Sequence, residues 1–180
     1  MKKAVVLSAI CLMILCAACA KKEEPAKEPE TAATEEAKVG VPNPMVEVTK
    51  DELMEKLGLG FNVPEGAENV KYFIIDGKMA EMQFVFNTVK INARILPTAE
   101  YEDISGMYYQ WQNSEKGKVG YSDADIKLYK GETESAQIIL WYDAAPGLMY
   151  SVSATGEDLD GFDIEAIAQQ TYVQTQGDVG

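Results

Sequence analysis

From Val70 onward apolar side chains recur at every second position. Val70, Tyr72 and Ile74 alternate with Lys71, Phe73 and Ile75, and Asp76-Gly77 follows, a pair suited to the left-handed residues of a tight hairpin. A returning strand is therefore expected. Ala80, Met82, Phe84 and Phe86 alternate with Glu81, Gln83, Val85 and Asn87, which predicts one packed face and one mixed face. Ile91, Ala93 and Ile95 opposite Lys90, Asn92 and Arg94 predict a third strand, ended by Pro97. Asp103-Ile104-Ser105-Gly106 reads as a turn into a fourth strand over Met107 to Gln112, with Tyr109 and Trp111 on one side and Tyr108 on the other. Ile126 and Leu128 mark a short fifth strand. Ala136, Ile138, Leu140 and Tyr142 alternate with Gln137, Ile139 and Trp141, so both faces are largely apolar and the strand is central, covered on both sides. A turn over Asp143 to Gly147 leads to the last strand, Leu148 to Ser153.

Two segments change period. Thr49-Lys50-Asp51-Glu52 has the form of a capping box, in which the Thr49 hydroxyl accepts from the Glu52 amide and the Glu52 carboxylate reaches back. Leu53 and Leu57 then share a helical face beside Met54, Gly58 suits the left-handed residue after the last turn, and Pro64-Glu65-Gly66 forbids continuation. Near the end, Ile164, Ile167, Ala168 and Thr171 fall on one helical face after Asp160-Gly161. That second helix is expected to lie across the sheet and to account for the buried outer face of the central strand. The fold class is α+β: a curved antiparallel meander of six or seven strands, preceded by a short helix and followed by one packed on it. No internal repeat is visible.

The first residues follow another logic. Met1-Lys2-Lys3 is a positive start, Ala4 to Leu15 is apolar except for Ser8, and small residues follow, the pattern of an export signal. A membrane-spanning helix needs about 20 apolar residues, more than this stretch offers before the charged run at Lys21. Ala17-Ala18-Cys19 resembles the lipobox of bacterial lipoproteins, although Cys16 stands where that family usually has Leu. The resemblance implies cleavage before Cys19 and a diacylglyceryl anchor on its thiol. Cys16 and Cys11 follow the bulky Leu15 and Ile10 and would leave with the signal, so the mature chain would keep no free thiol and no disulfide. Two acyl chains suffice for stable anchoring.

Lys21 to Lys38 holds four Lys, six Glu and two Pro without a large apolar residue. Such a segment cannot bury enough surface to offset its ordering entropy and is expected to be a solvated tether. Extended, it reaches at most about 3.3 to 3.6 Å per residue, enough to lift a domain off the headgroups. The expected organisation is a signal peptide over 1–18, lipidated Cys19 and tether over 19–44, one α+β extracytoplasmic domain over 45–174 and a tail over 175–180.

Charge and composition narrow the chemistry. The 180 residues carry 16 basic and 29 acidic groups, a net −13, which opposes nucleic-acid binding, and Arg94 is the sole arginine. Without histidine there is no imidazole base, no His-ligated metal and no Ser-His-Asp or Cys-His arrangement. No Ser-x-x-Lys, Gly-x-Ser-x-Gly, phosphate-loop or dinucleotide-binding pattern occurs. Glu102 and Asp103 adjoin on a turn, whereas paired glycosidase carboxylates must face each other across a cleft. No catalytic residue, cofactor or metal site is predicted, and the expectation is a non-enzyme.

Two constellations remain. Asp158, Asp160, Asp163 and Glu165 form the tightest acidic cluster, but Gly161 follows the second Asp directly, unlike a calcium loop, and carboxylates at a helix start are explained by capping and by the helix dipole. Tyr108, Tyr109 and Trp111, with Trp141, Tyr142 and Tyr150, either fill the core or line a groove for a sugar, a peptide or a lipid tail. Strand parity alone leaves that open.

Val63-Pro64-Glu65-Gly66-Ala67-Glu68-Asn69-Val70, Leu140-Trp141-Tyr142-Asp143 and Pro146-Gly147-Leu148-Met149-Tyr150-Ser151 resemble segments of uncharacterised Gram-positive lipoproteins, and the last strand and helix are similar to the close of a domain of unknown function found beside membrane anchors in spore-forming bacteria. The resemblance implies location and fold, and no chemistry. The expected function is a lipid-anchored, non-enzymatic ligand-binding or sensing module at the cell surface, which a clustered aromatic concavity would favour. The alternative is a structural or protein-interaction module in envelope assembly, which a filled sheet face and an exposed apolar patch would favour.

Overall fold

The computed structural model describes residues 44–173. The signal peptide, Cys19, the tether up to residue 43 and the tail over 175–180 lie outside the described residues.

The fold is α+β, with eight strands rather than six or seven in one open antiparallel sheet. Strand β1 (Met45–Val48) comes first, so helix α1 (Lys50–Leu57) is inserted between β1 and β2 (Glu68–Ile75) instead of preceding the sheet. The capping box forms: Thr49 Oγ1 accepts from Glu52 N at 3.2 Å, and Thr49 N donates to Glu52 Oε2 at 2.8 Å. Gly58, at φ 66°, closes the helix by donating to Met54 O. Leu53, fully buried, ties α1 to the core.

Asp76 and Gly77, at φ 50° and 69°, make the expected hairpin into β3 (Met79–Phe86). Asn87 and Thr88, at φ 47° and 69°, turn the chain again into β4 (Val89–Pro97), and this second left-handed pair puts Glu81 opposite Arg94. Residues 98–112 then run as a strap without regular structure, so the strand expected over Met107 to Gln112 is absent. The true fifth strand, β5 (Asn113–Val119), carries mostly polar residues because it lies at the sheet edge. Strand β6 (Ser122–Lys130) is nine residues long where Ile126 and Leu128 alone suggested a short one. Strands β7 (Ser135–Asp143) and β8 (Leu148–Gly156) and helix α2 (Ile164–Thr171) complete the fold.

The strand order is β1-β2-β3-β4-β8-β7-β6-β5, not a simple meander. The strap carries the chain to the far edge, from which β5 to β8 return until β8 pairs with β4. The main core lies on one face, where alternate residues of β3, β4, β7 and β8 meet Ile164, Ile167 and Ala168 of α2. Strand β7 is the central strand, buried along its length apart from the half-buried Tyr142. Helix α2 covers only one of its faces. On the other, Ile138 and Leu140 pack with Leu96 and Met149 beneath Ile104, Met107 and Trp111 of the strap. The second cover is thus the strap, since one helix cannot reach both sides of a sheet.

Candidate functional site

The aromatic residues are divided among the two faces and the solvent. Trp141 and Tyr150 are directly opposed in the register of β7 and β8, and their rings stack at 4.8 Å with 2° between planes. Tyr172 meets both edge-on and donates to Asp143 Oδ2 at 3.0 Å. These rings belong to the main core. Tyr142, next along β7, points to the other face and donates to Thr98 O at 3.2 Å. Tyr109 and Trp111 do share a side, in contact at 5.6 Å, and Tyr109 also stacks on Tyr129 at 4.7 Å, while Tyr108 is 97% exposed. No common groove is lined by the six.

The acidic residues near α2 diverge. Lys130 Nζ holds Asp160 at 2.5 Å and Asp158 at 4.0 Å. Asp163 caps α2 by accepting from Ala166 N at 2.9 Å, and Glu165 Oε1 accepts from Lys118 N at 3.3 Å. No group of three or more metal-ligating side chains occurs among the described residues. Asp103 accepts from the backbone and hydroxyl of Ser105 and pairs with Lys127 at 3.4 Å, which occupies it within the strap; Glu102, its neighbour, is exposed.

A feature missed in the sequence is the buried pair of Glu81, wholly inaccessible, and Arg94, whose Nε lies 2.5 Å from it. Arg94 Nη1 also donates to Ile104 O at 2.9 Å, which pins the strap to the sheet. Gly106 allows this, because a Cβ there would run into the guanidinium. The signal was available: an Asn87-Thr88 turn sets the register that opposes residues 81 and 94.

Hydrogen bonds from the Thr49 amide, Lys118 and Lys116 hold the carboxyls of Glu52, Asp123 and Asp125 below their usual range. Asp123 and Asp160 push Lys118 and Lys130 up. Burial raises Tyr72 and, with the Asp125 contact, Tyr101, while the hydrogen bond to Glu134 pushes Tyr109 up to about 12. Each of these shifts deepens the state the group already holds at neutral pH, the opposite of what proton transfer requires.

The feature best suited to recognition is a mostly apolar groove of about 520 Å³ between α1 and the β1–β2 edge. Val46, Val48, Leu57 and Ile74 line it, with Lys56 and Asp76. Val46, on the last strand of the sheet, is 53% exposed, and Met54 on α1 is 51% exposed. The groove is not legible in the sequence, because it depends on the pairing of Met45 to Val48 with β2, which places Val46 opposite Ile74.

Among the described residues no helix is long and apolar enough to cross a membrane. No protein-family model matches the chain, and no curated protein matches it.

Proposed function

We propose that the chain is a lipid-anchored extracytoplasmic module without catalytic activity, which works by binding a protein of the cell envelope through the α1–β1 edge. The observation that carries this reading is the contrast between the aromatic rings of the first sheet face, stacked inside the core, and the apolar groove left open at Val46. Apolar surface left open at a rim of this kind fits a protein partner, which covers it on binding. Anchoring is supported by Ala17-Ala18-Cys19 after the apolar run, and location by the likeness to Gram-positive lipoproteins in the segments quoted above. A charged tether between anchor and domain raises the local concentration of membrane partners.

The test replaces Val46 with a photocrosslinking residue in the full chain in its native cell, and Glu132, in the β6–β7 turn, as the control. A discrete protein adduct from position 46 and none from 132 is the expected outcome. Identical adducts from both positions, or none from 46, would refute the reading. A small-ligand role has one observation in its favour, a cleft at Tyr121.

A further inference from the structure

Sharing no lining residue with the α1–β1 groove, a shallow cleft of about 490 Å³ is formed by Asn62, the β5–β6 turn and the end of α2. Its lining is Asn62, Gly120, Tyr121, Gln169 and Tyr172, with no carboxylate and no ammonium group. In a chain of net charge −13 this sets it apart, since four other surface depressions all include charged side chains.

The cleft is held rigid from three parts of the chain. Gln169 Oε1 accepts from Gly120 N at 3.1 Å and its Nε2 donates to Lys118 O at 2.8 Å, so one amide clamps the β5–β6 turn. Asn62 N donates to Thr171 O at 3.1 Å and Asn62 Nδ2 to Tyr172 O at 2.8 Å. Gly120, at φ 57°, sits so close to Tyr172 that a Cβ would lie 2.8 Å from the ring. Tyr172 is itself fixed by Trp141, Tyr150 and Asp143. On this frame Tyr121 stands 73% exposed. Each amide keeps capacity beyond these bonds: Asn62 Oδ1 as an acceptor and the second Nε2 hydrogen of Gln169 as a donor.

We propose that this cleft binds an uncharged saccharide residue, with a C–H face of the sugar on the Tyr121 ring and its hydroxyls paired with Asn62 and Gln169. A sugar hydroxyl both donates and accepts, which matches one free acceptor beside one free donor, and the lining offers no counter-charge to an anionic or cationic ligand. The clamped turn lowers the ordering cost of binding, which lets a shallow site hold its ligand. This inference is independent of the protein-binding reading of the α1–β1 edge.

The test uses the full chain in detergent micelles, labelled with ¹⁵N and titrated with chitohexaose, maltohexaose and their monomers. The resonances followed are the Gly120 and Tyr121 amides and the Asn62 and Gln169 side-chain amides. Saturable shifts at these groups with at least one probe, with Kd of about 1 mM, are expected. Tyr121→Ala should weaken binding about tenfold and Tyr121→Phe should retain it; the ring is exposed, so both variants keep the fold. Binding of a hexaose alone assigns the site to a glycan chain, and equal binding of its monomer assigns it to free sugar. No saturable shift with any probe, or an unchanged affinity in folded Tyr121→Ala, overturns the proposal.

Discussion

Thr88 is the residue least at ease in its backbone. A β-branched side chain at φ 69° is strained, and strain of this kind costs about 1–3 kcal/mol. It persists because the Phe86–Val89 pairing and the rest of the β3–β4 ladder fix the turn around it. Thr88→Gly should therefore raise the melting temperature by a few degrees, the gain being about 1 kcal/mol once the glycine's extra freedom in the unfolded chain is counted. A calorimetric scan showing no rise would mean that the side chain is compensated elsewhere. Glu81 presents the opposite case, a residue that is costly to bury but fully supplied with partners, since Arg94 and Gln83 both donate to it. A buried pair of this type is poor evidence of net stability; its visible effect here is to place Arg94 where it holds the strap.

Among the elements, the strap over residues 98–112 departs furthest from expectation. Tyr109, Trp111 and their neighbours alternate as a strand would, yet Ile104, Met107 and Trp111 seat on the second sheet face instead of entering the ladder. Side-chain clasps hold it in place of a strand ladder. Tyr101 donates to Asp125 at 2.9 Å, Tyr109 to Glu134 at 2.7 Å, and Lys127 pairs with Asp103. Asp125, which also takes a hydrogen bond from Lys116, is ionised more readily in the folded chain than in the unfolded one. A lowered folded-state value means that its contribution is present above the unfolded carboxylate range, about pH 3.9, and is lost as the pH falls through the folded value. Asp125→Asn should thus melt below the parent at pH 7, and the gap should narrow progressively as thermal scans are carried below the unfolded carboxylate range. A gap that persists in acid would assign the effect to packing.

For the whole molecule, the decisive contact is the ladder from Lys90–Thr155 to Pro97–Leu148, which joins two four-stranded halves. Strands β7 and β8 lie inside that arrangement with their residues buried, whereas β1 is a four-residue strand at the edge. Amide hydrogen exchange should accordingly be slowest in β7 and β8 and fastest among the strands in β1, and equal protection would show that β1 is covered. Much of this could be read locally. The capping box, the Asp76-Gly77 hairpin, the β3 and β4 alternation, the two-sided burial of β7 and the α2 face all depend on neighbours a few residues apart, where period and turn chemistry act directly. Strands β1 and β5 escaped because an edge needs little apolar surface, and the aromatic question stayed open because parity within a strand does not tell which face a distant element covers. The sequence by itself determined the capping box, the Asp76-Gly77 hairpin, the two helices, the charge balance and the exclusion of imidazole chemistry. Only the tertiary structure decided that β8 pairs with β4, that the strap caps the second face, that Trp141 and Tyr150 fill the core, and that Val46 and Tyr121 are left at the surface. Each of those outcomes depends on contacts between residues far apart along the chain, for which no local pattern encodes the partner.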